Sequence, residues 1–588
     1  EVVHCHNGID YCVKPTGHEM DMLRPQACQF YVQQSYENFW KDFREEFGKT
    51  IVSVWVDEPS FKAASLPFTK ELPKAYEALW KEPFAWDKVH LLFTDDDRKE
   101  VIASVDDRLN QNTEENADEG ELFRLHYWRT VLYLMKQSYF QSVRDWCDAN
   151  HLMFSGHLMA EDTMEGQISA TCFTMPMYRY FDIPGMDYLT AQMDWNYGAL
   201  RPERPYNDLW THYGYFNTPL QCSSVAHQTG KKAVLSEMYG VSSENMGFRD
   251  QKYMFDRLAS FGINHRSVHA IFYSLRGCGK HAYPPHVSDY QPYWPKYRLL
   301  TDAIARESSF LRAGKPVKDV LVLHPIETAF SLYHGRNERG VNDNQKLWRY
   351  DPEFNQVLRN LANWQINFEL GDEDTIAELG EVSSNRFRVG QMAYKLVVIP
   401  PVKFLRETTL ALLGKFMEQG GTVLVIGQGS KYSDTGRLCK EALEGAVFAD
   451  SFRKVREFFR TAPLSYRYEP YDAGTSVQIF MQEEGDDLLF FLMNTDCRRS
   501  VSGRLILEGD YRCQHFREYD GAIVTYPSVT EEGKTSVEVE LPEGGSLLLR
   551  LQKAEKEDKK SSCFGEKAPE SRVCLPVKSK WKVKREDP

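Results

Sequence analysis

Two acidic residues that close apolar runs carry the chemistry this chain offers. Thr50 to Phe61 reads TIVSVWVDEPSF. Ile51, Val52, Val54 and Val56 are β-branched and Trp55 is aromatic, so the run predicts a buried strand. Asp57, Glu58 and Pro59 end it, because two acids and a proline cannot continue a buried parallel strand. Lys231 to Gly240, KKAVLSEMYG, has the same form and ends in Ser236 and Glu237. Acids at the carboxyl ends of parallel strands lie where barrel enzymes keep their reacting groups. Two carboxylates over one pocket are the equipment for cleaving a glycosidic bond. One delivers a proton to the departing oxygen; the other attacks the anomeric carbon or activates water. Glu58 is the candidate proton donor, because Asp57 and the apolar Trp55 and Phe61 would raise its pKa. Glu237 is the candidate for the second role. A lone strand-end glutamate is more often a helix-cap partner or a salt-bridge member. Two of them, each after an apolar strand and just before Pro or Gly, favour catalysis.

Other polar strand ends flank these two. His151 to Gly156 leads into His157, Glu161 and Asp162. Glu161 and Asp162 are a rival acid pair that could bind sugar hydroxyls, hold a metal or supply the acid. Asp182 to Thr190, DIPGMDYLT, predicts a fourth such strand. Gly262 to Ser274, GINHRSVHAIFYS, predicts the last, with His265, Arg266, His269 and Tyr273, and Arg276 follows. Asp57, His157, Glu161, His269, Tyr273 and Arg276 are candidate substrate contacts. Near the start, Val2 to Cys5 reads as a short strand and His4 to Gly8 as a polar end, with a loop of satisfied histidines as the competing reading.

Such groups need a scaffold that brings distant strand ends together. Arg24 to Phe47 has helical spacing, with Phe30, Tyr31, Tyr36, Phe39, Trp40, Phe43 and Phe47 read as core. Glu121 to Asn150 reads as a strong amphipathic helix, and residues 250–260 as another. Strand and helix alternate, which predicts an α/β fold: a (β/α)8-type TIM barrel over residues 1–313. About six of its strands are legible, so the first two are expected to be missing. Residues 62–120 are charged and irregular, an insertion of the kind that walls an active site. Residues 314–438 predict a small parallel α/β domain from the runs DVLVLH, YKLVVIP and GTVLVIG, with helices at 353–366 and 407–419 between them. IGQGS there reads as a tight turn, since no GxGxxG is present. Residues 439–552 alternate as an antiparallel β-sandwich. Residues 553–588 read as a charged linker and the start of a further β domain. With Glu rather than Met at position 1, the chain is expected to be a fragment of a longer protein.

Composition narrows the partners. A net charge of −13 argues against nucleic acid or an anionic membrane surface. No run of about 18 apolar residues is present to span a bilayer. The 12 cysteines form no CxxC pair, which favours a reducing compartment over a disulfide framework. The 12 Trp and 31 Tyr suit a sugar-binding cleft as well as a large core.

IVSVWVDEPSF, AVLSEMYG and a strand ending FYS before an α/β domain resemble the family 42 β-galactosidases. That resemblance implies an acid/base glutamate after the fourth barrel strand, a nucleophile after the seventh and an amidotransferase-like α/β domain. Carried over, Glu58 is the acid/base and Glu237 the nucleophile, while Asp57 stands where the family has Asn. SGHLMAED, SEMYG, YSLRGCGKHAYPPHVSDYQPYW and DVLVLHPIETAF resemble the bacterial family 106 α-L-rhamnosidases over roughly residues 17–335. That resemblance implies an exo-acting, inverting hydrolase with Glu58 as acid, Glu237 as the base activating water, and a calcium ion in the sugar site. No Asp/Asn-rich calcium loop is present to hold it. A bacterial cytoplasmic enzyme, ahead of a secreted one, with a carbohydrate substrate is the resulting expectation. The competing class is a non-catalytic carbohydrate-binding protein on the same barrel; a polysaccharide lyase is disfavoured by the lack of a basic groove.

Overall fold

Five short parallel strands stand side by side in chain order: β1 (Ser53–Val56), β2 (Met153–Gly156), β3 (Ile183–Tyr188), β4 (Leu235–Met238) and β5 (His265–Val268). The computed structural model describes residues 20–61, 66–93, 117–188, 214–242, 244–277, 285–335, 344–472 and 477–554. The apparent strand at Val2 to Cys5, the HCHNG stretch, the middle of the 62–120 insertion and the linker from residue 555 onward lie outside these residues. Neighbours that are also consecutive in sequence, joined through helices, are the winding of a (β/α)8 barrel wall. The five strand ends therefore open on one mouth.

β1 is not the fully buried strand expected. Val52 is 47% exposed and Trp55 38%. Among the described residues β1 pairs only with β2. The helix Pro25–Phe43 likewise buries less than its pattern implied: Cys28 and Val32 are buried, whereas Phe30 and Phe39 are each 61% exposed. The apolar stripe on this helix is wider than the surface available to cover it. The helix Glu119–Met135 shows the opposite departure. It is buried on almost every side, then passes through one π turn, Lys136–Phe140, into Gln141–Ala149. It lies between the helix Leu72–Trp80 and the helix Ile326–Leu332 of the following unit.

That following unit is a parallel sheet in the order Val447–Ala449, Thr422–Ile426, Leu396–Ile399, Val320–Leu323, Phe368–Gly371. Val320 to Leu323 and Leu396 to Ile399 are buried at every position, as a sheet covered on both faces requires. Its edge strand comes from beyond residue 438, and an antiparallel meander from Gly380 to Tyr394 joins it. Two antiparallel sheets of four and six strands then form the β-sandwich. Leu505, Val537 and Val539 of one sheet and Phe490, Leu492 and Leu549 of the other share its core. Lys315–Pro316 pairs back onto the edge of Val477–Glu484 in the six-stranded sheet.

Candidate active site

β1 ends by turning sharply. Glu58 takes a left-handed φ of 48°, a cost of about 1–3 kcal/mol that the surroundings must sustain. They do so just downstream, where Phe61 N–H and Ser60 Oγ both donate to the carbonyl of Ala170, at 2.9 and 3.1 Å. β2 comes exceptionally close to β1. A Cβ on Gly156 would lie 2.0 Å from the carbonyl oxygen of Val56, and Gly156 has a φ of 141°. Only glycine permits this contact. It sets the next residue, His157, whose N–H donates to that same carbonyl at 3.2 Å.

The His157 ring is 1% exposed and sits among the strand-end acids. Its Nε2 lies 3.0 Å from Glu237 Oε2 and 3.1 Å from Asp57 Oδ1. The Trp55 ring meets it edge-on, with centroids 5.6 Å apart. One oxygen of Glu58, one ring nitrogen of His157 and one oxygen of Asp187 lie within 4.8 Å of one another. Asp187 is directly opposite Glu237 in the β3–β4 register. Glu58 and Glu237, 179 residues apart in sequence, thus converge on one imidazole.

Electrostatics separates these acids. Burial alone would lower the His157 pKa, but the Glu237 hydrogen bond and the charges of Glu161, Asp187 and Glu237 raise it to about 9. His157 is therefore an imidazolium at neutral pH. Burial alone would raise Glu237, but the His157 hydrogen bond and charge, with help from His269, hold it below the usual carboxylate value. Asp187 goes the other way: burial, reinforced by the charges of Glu237 and Glu58 and opposed by His157, pushes it up to about 7. Asp187 Oδ1 and His157 Nδ1 are both buried and have no hydrogen-bond partner among the described residues.

Glu161 is fixed as part of the scaffold. Leu158 N–H and Tyr178 O–H donate to its Oε1 at 3.1 and 2.6 Å, and Asp187 N–H donates to its Oε2 at 2.9 Å. Both oxygens are occupied, so Glu161 ties the loop after β2 to β3. Burial pushes its carboxyl up to about 8 against His157 and these donors. Asp162 is buried as well. His269 follows β5, with its N–H donating to the Met238 carbonyl at 2.9 Å, and its charge acts on Glu237. Tyr273 and Arg276 stand apart. Tyr273 is fully exposed, and Arg276 is exposed in the same stretch with its N–H on Ser274 Oγ.

Asp57, His157 and Glu237, and likewise Glu58, His157 and Asp187, bring three donor atoms within metal-ligating reach. Calcium takes about 6–8 oxygen ligands. Each of these triads offers two carboxylates around an imidazole that already carries a positive charge. This donor set does not fit calcium; the imidazolium is itself the cation among the acids. Asp187 is the residue that sequence reasoning passed over. Its signal was the acid inside DIPGMDYLT, one residue before the strand ends.

No family model matches the chain. Over 213 residues it is 26% identical to a protein described as a putative beta-glucuronidase from Formosa agariphila, covering 35% of this chain and 16% of that protein. In structure it is similar to a rhamnosidase from Novosphingobium sp. PP1Y, with TM-score 0.66 and 15% identity, over 92% of this chain and 48% of that one. The GH42 β-galactosidase Gan42B gives TM-score 0.56 and 11% identity over 94% and 85% of the two chains. The β-galactosidase of Bacillus circulans sp. alkalophilus gives 0.55 and 11% over 90% and 83%. The chain thus spans about half the length of the rhamnosidase. Its fold is the one these solved TIM-barrel glycosidases share, over nearly the whole chain.

Proposed function

We propose that this chain is the hydrolytic portion of an exo-acting glycoside hydrolase that removes a terminal sugar, α-L-rhamnosidase-like, by a two-carboxylate mechanism. The observation that carries the reading is the meeting of Glu58, Asp187 and Glu237 around the buried His157. Hydrolysis needs one carboxyl that is ionised and one that is protonated at the same pH. Glu237, hydrogen-bonded to an imidazolium, suits the ionised role: it activates water or attacks the anomeric carbon. Glu58, on the turn after β1, delivers the proton to the departing oxygen. Asp57, His157 and His269, beside the two glutamates, are candidate contacts for the sugar, and Tyr273 and Arg276 are candidates for the rim. The fold shared with the Novosphingobium rhamnosidase over nearly the whole chain supports the choice of sugar class. No helix among the described residues is long and apolar enough to cross a membrane.

A panel of nitrophenyl glycosides, with α-L-rhamnoside and β-galactoside included, tests activity directly. Glu58→Gln and Glu237→Gln should each lower turnover by about 10²–10⁴-fold, with the circular dichroism spectrum unchanged. Wild-type turnover in either variant would remove that residue from its role. Sugar binding without cleavage anywhere on the panel would favour the carbohydrate-binding reading.

A further inference from the structure

Four carboxyls, not two, gather around His157, and the two-residue mechanism leaves Asp187 without a task. Asp187 reaches the site from β3, in register with Glu237 on β4, and its backbone is held by Glu161. One of its oxygens lies within 4.8 Å of a Glu58 oxygen. Its Oδ1 is buried and makes no hydrogen bond among the described residues.

We propose that Asp187 is the positioning residue for the proton donor: its carboxyl and that of Glu58 share one proton at neutral pH, so that Glu58 begins each turnover protonated. The inference rests on the reading of Glu58 as the acid.

The physical basis is that two half-buried carboxylates this close repel each other's charge and resist ionising together. The groups facing the pair come from every adjacent strand end. Asp57 comes from β1, His157 from β2, Glu237 from β4 and His269 from β5, while Glu161 lies behind Asp187. The two histidines draw protons off the acids, and Glu237 with its negative charge keeps them on. Burial is the main reason the Asp187 carboxyl is pushed up to about 7, and the charges of Glu237 and then Glu58 add to it against His157. The same pairwise repulsion acts equally on Glu58, because a coupling between two sites is reciprocal. In turnover the proton leaves Glu58 for the oxygen of the departing group. The water consumed in hydrolysis supplies the proton that replaces it.

The test is the pH profile of kcat/KM for Asp187→Asn beside the wild type, on whichever glycoside the panel shows to be cleaved. Asparagine keeps the size and removes the charge. The alkaline limb, which reports loss of the donor proton, should move down by about one pH unit. Asp187→Glu should restore most of the limb. A profile that falls in amplitude at an unchanged limb would overturn the proposal, since a purely structural role lowers activity without moving a titration. Glu58→Gln separates this from failure of the underlying reading. If that variant is inactive while the Asp187→Asn limb stays in place, only the inference about Asp187 falls. If it stays active, the acid has been misassigned.

Discussion

His157 fixes the charge state of the site through its contact with Glu237, and the direction of that effect can be measured. Burial works to protonate Glu237, and the imidazolium outweighs it. His157→Gln retains a hydrogen-bond donor but removes the positive charge. Glu237 would then rise from its lowered state toward its ordinary value of 4.5, with only the retained hydrogen bond and His269 opposing burial. The ionised form would be lost at higher pH, so the acidic limb of kcat/KM should move up by about 1–2 pH units. An acidic limb that does not move would show that His157 acts only as a spacer. That Glu58, Glu237, Asp57 and His157 stand together at strand ends was legible in the sequence, because each interrupts or follows an apolar run. Asp187 was not, because Met186 and Tyr188 flank it and a single acid there looks like the solvent-facing position of an alternating strand. Nor was the locked state of Glu161, since its partners Tyr178 and Asp187 lie 17 and 26 residues downstream.

The strands deliver these side chains only if β1 and β2 approach as closely as Gly156 allows. A methyl group at this position meets the Val56 carbonyl oxygen at 2.0 Å, and that oxygen is backbone that cannot rotate away. The φ of 141° is a second obstacle for any other residue. Gly156→Ala should therefore destabilise the protein by about 2 kcal/mol or more in urea unfolding and lower kcat at temperatures where it remains folded. Both effects have one origin, because the displaced residues carry Glu58 and His157. Unchanged stability would mean that the two strands separate without cost. The order and parallel sense of the elements could be read from sequence, since continuous apolar runs alternate with helical periods. Exposure could not. The exposure of Val52, Trp55, Phe30 and Phe39 depends on which neighbours pack against them, and no local pattern encodes that.

Across the whole molecule, buried charge joins units that the sequence presents as separate. Lys252, on the helix after β4, contacts Asp256 and Glu307 of the barrel helices at 2.7 and 2.6 Å, and Glu518 of the sandwich at 3.8 Å. Ser546, on a sandwich strand, donates to Asp256 at 2.8 Å. All four charged groups are buried, so three acids share one cation. Burial drives Asp256 and Glu307 up, and their mutual repulsion drives Glu307 further. Burial would discharge Lys252, but the surrounding acids outweigh it and keep it protonated. Lys252→Met would fill the space of the side chain but leave the acids with no counter-charge. Breaking a buried pair from one side in this way costs about 3–5 kcal/mol. Glu307→Gln, by contrast, removes one of the surplus negative charges and can still accept a hydrogen bond from Lys252, so its cost should be much smaller. Chemical denaturation of the two variants distinguishes an essential ionic junction from a merely crowded one. The ionic account requires the lysine variant to lose clearly more stability than the glutamate variant; equal losses would indicate that packing holds barrel and sandwich together.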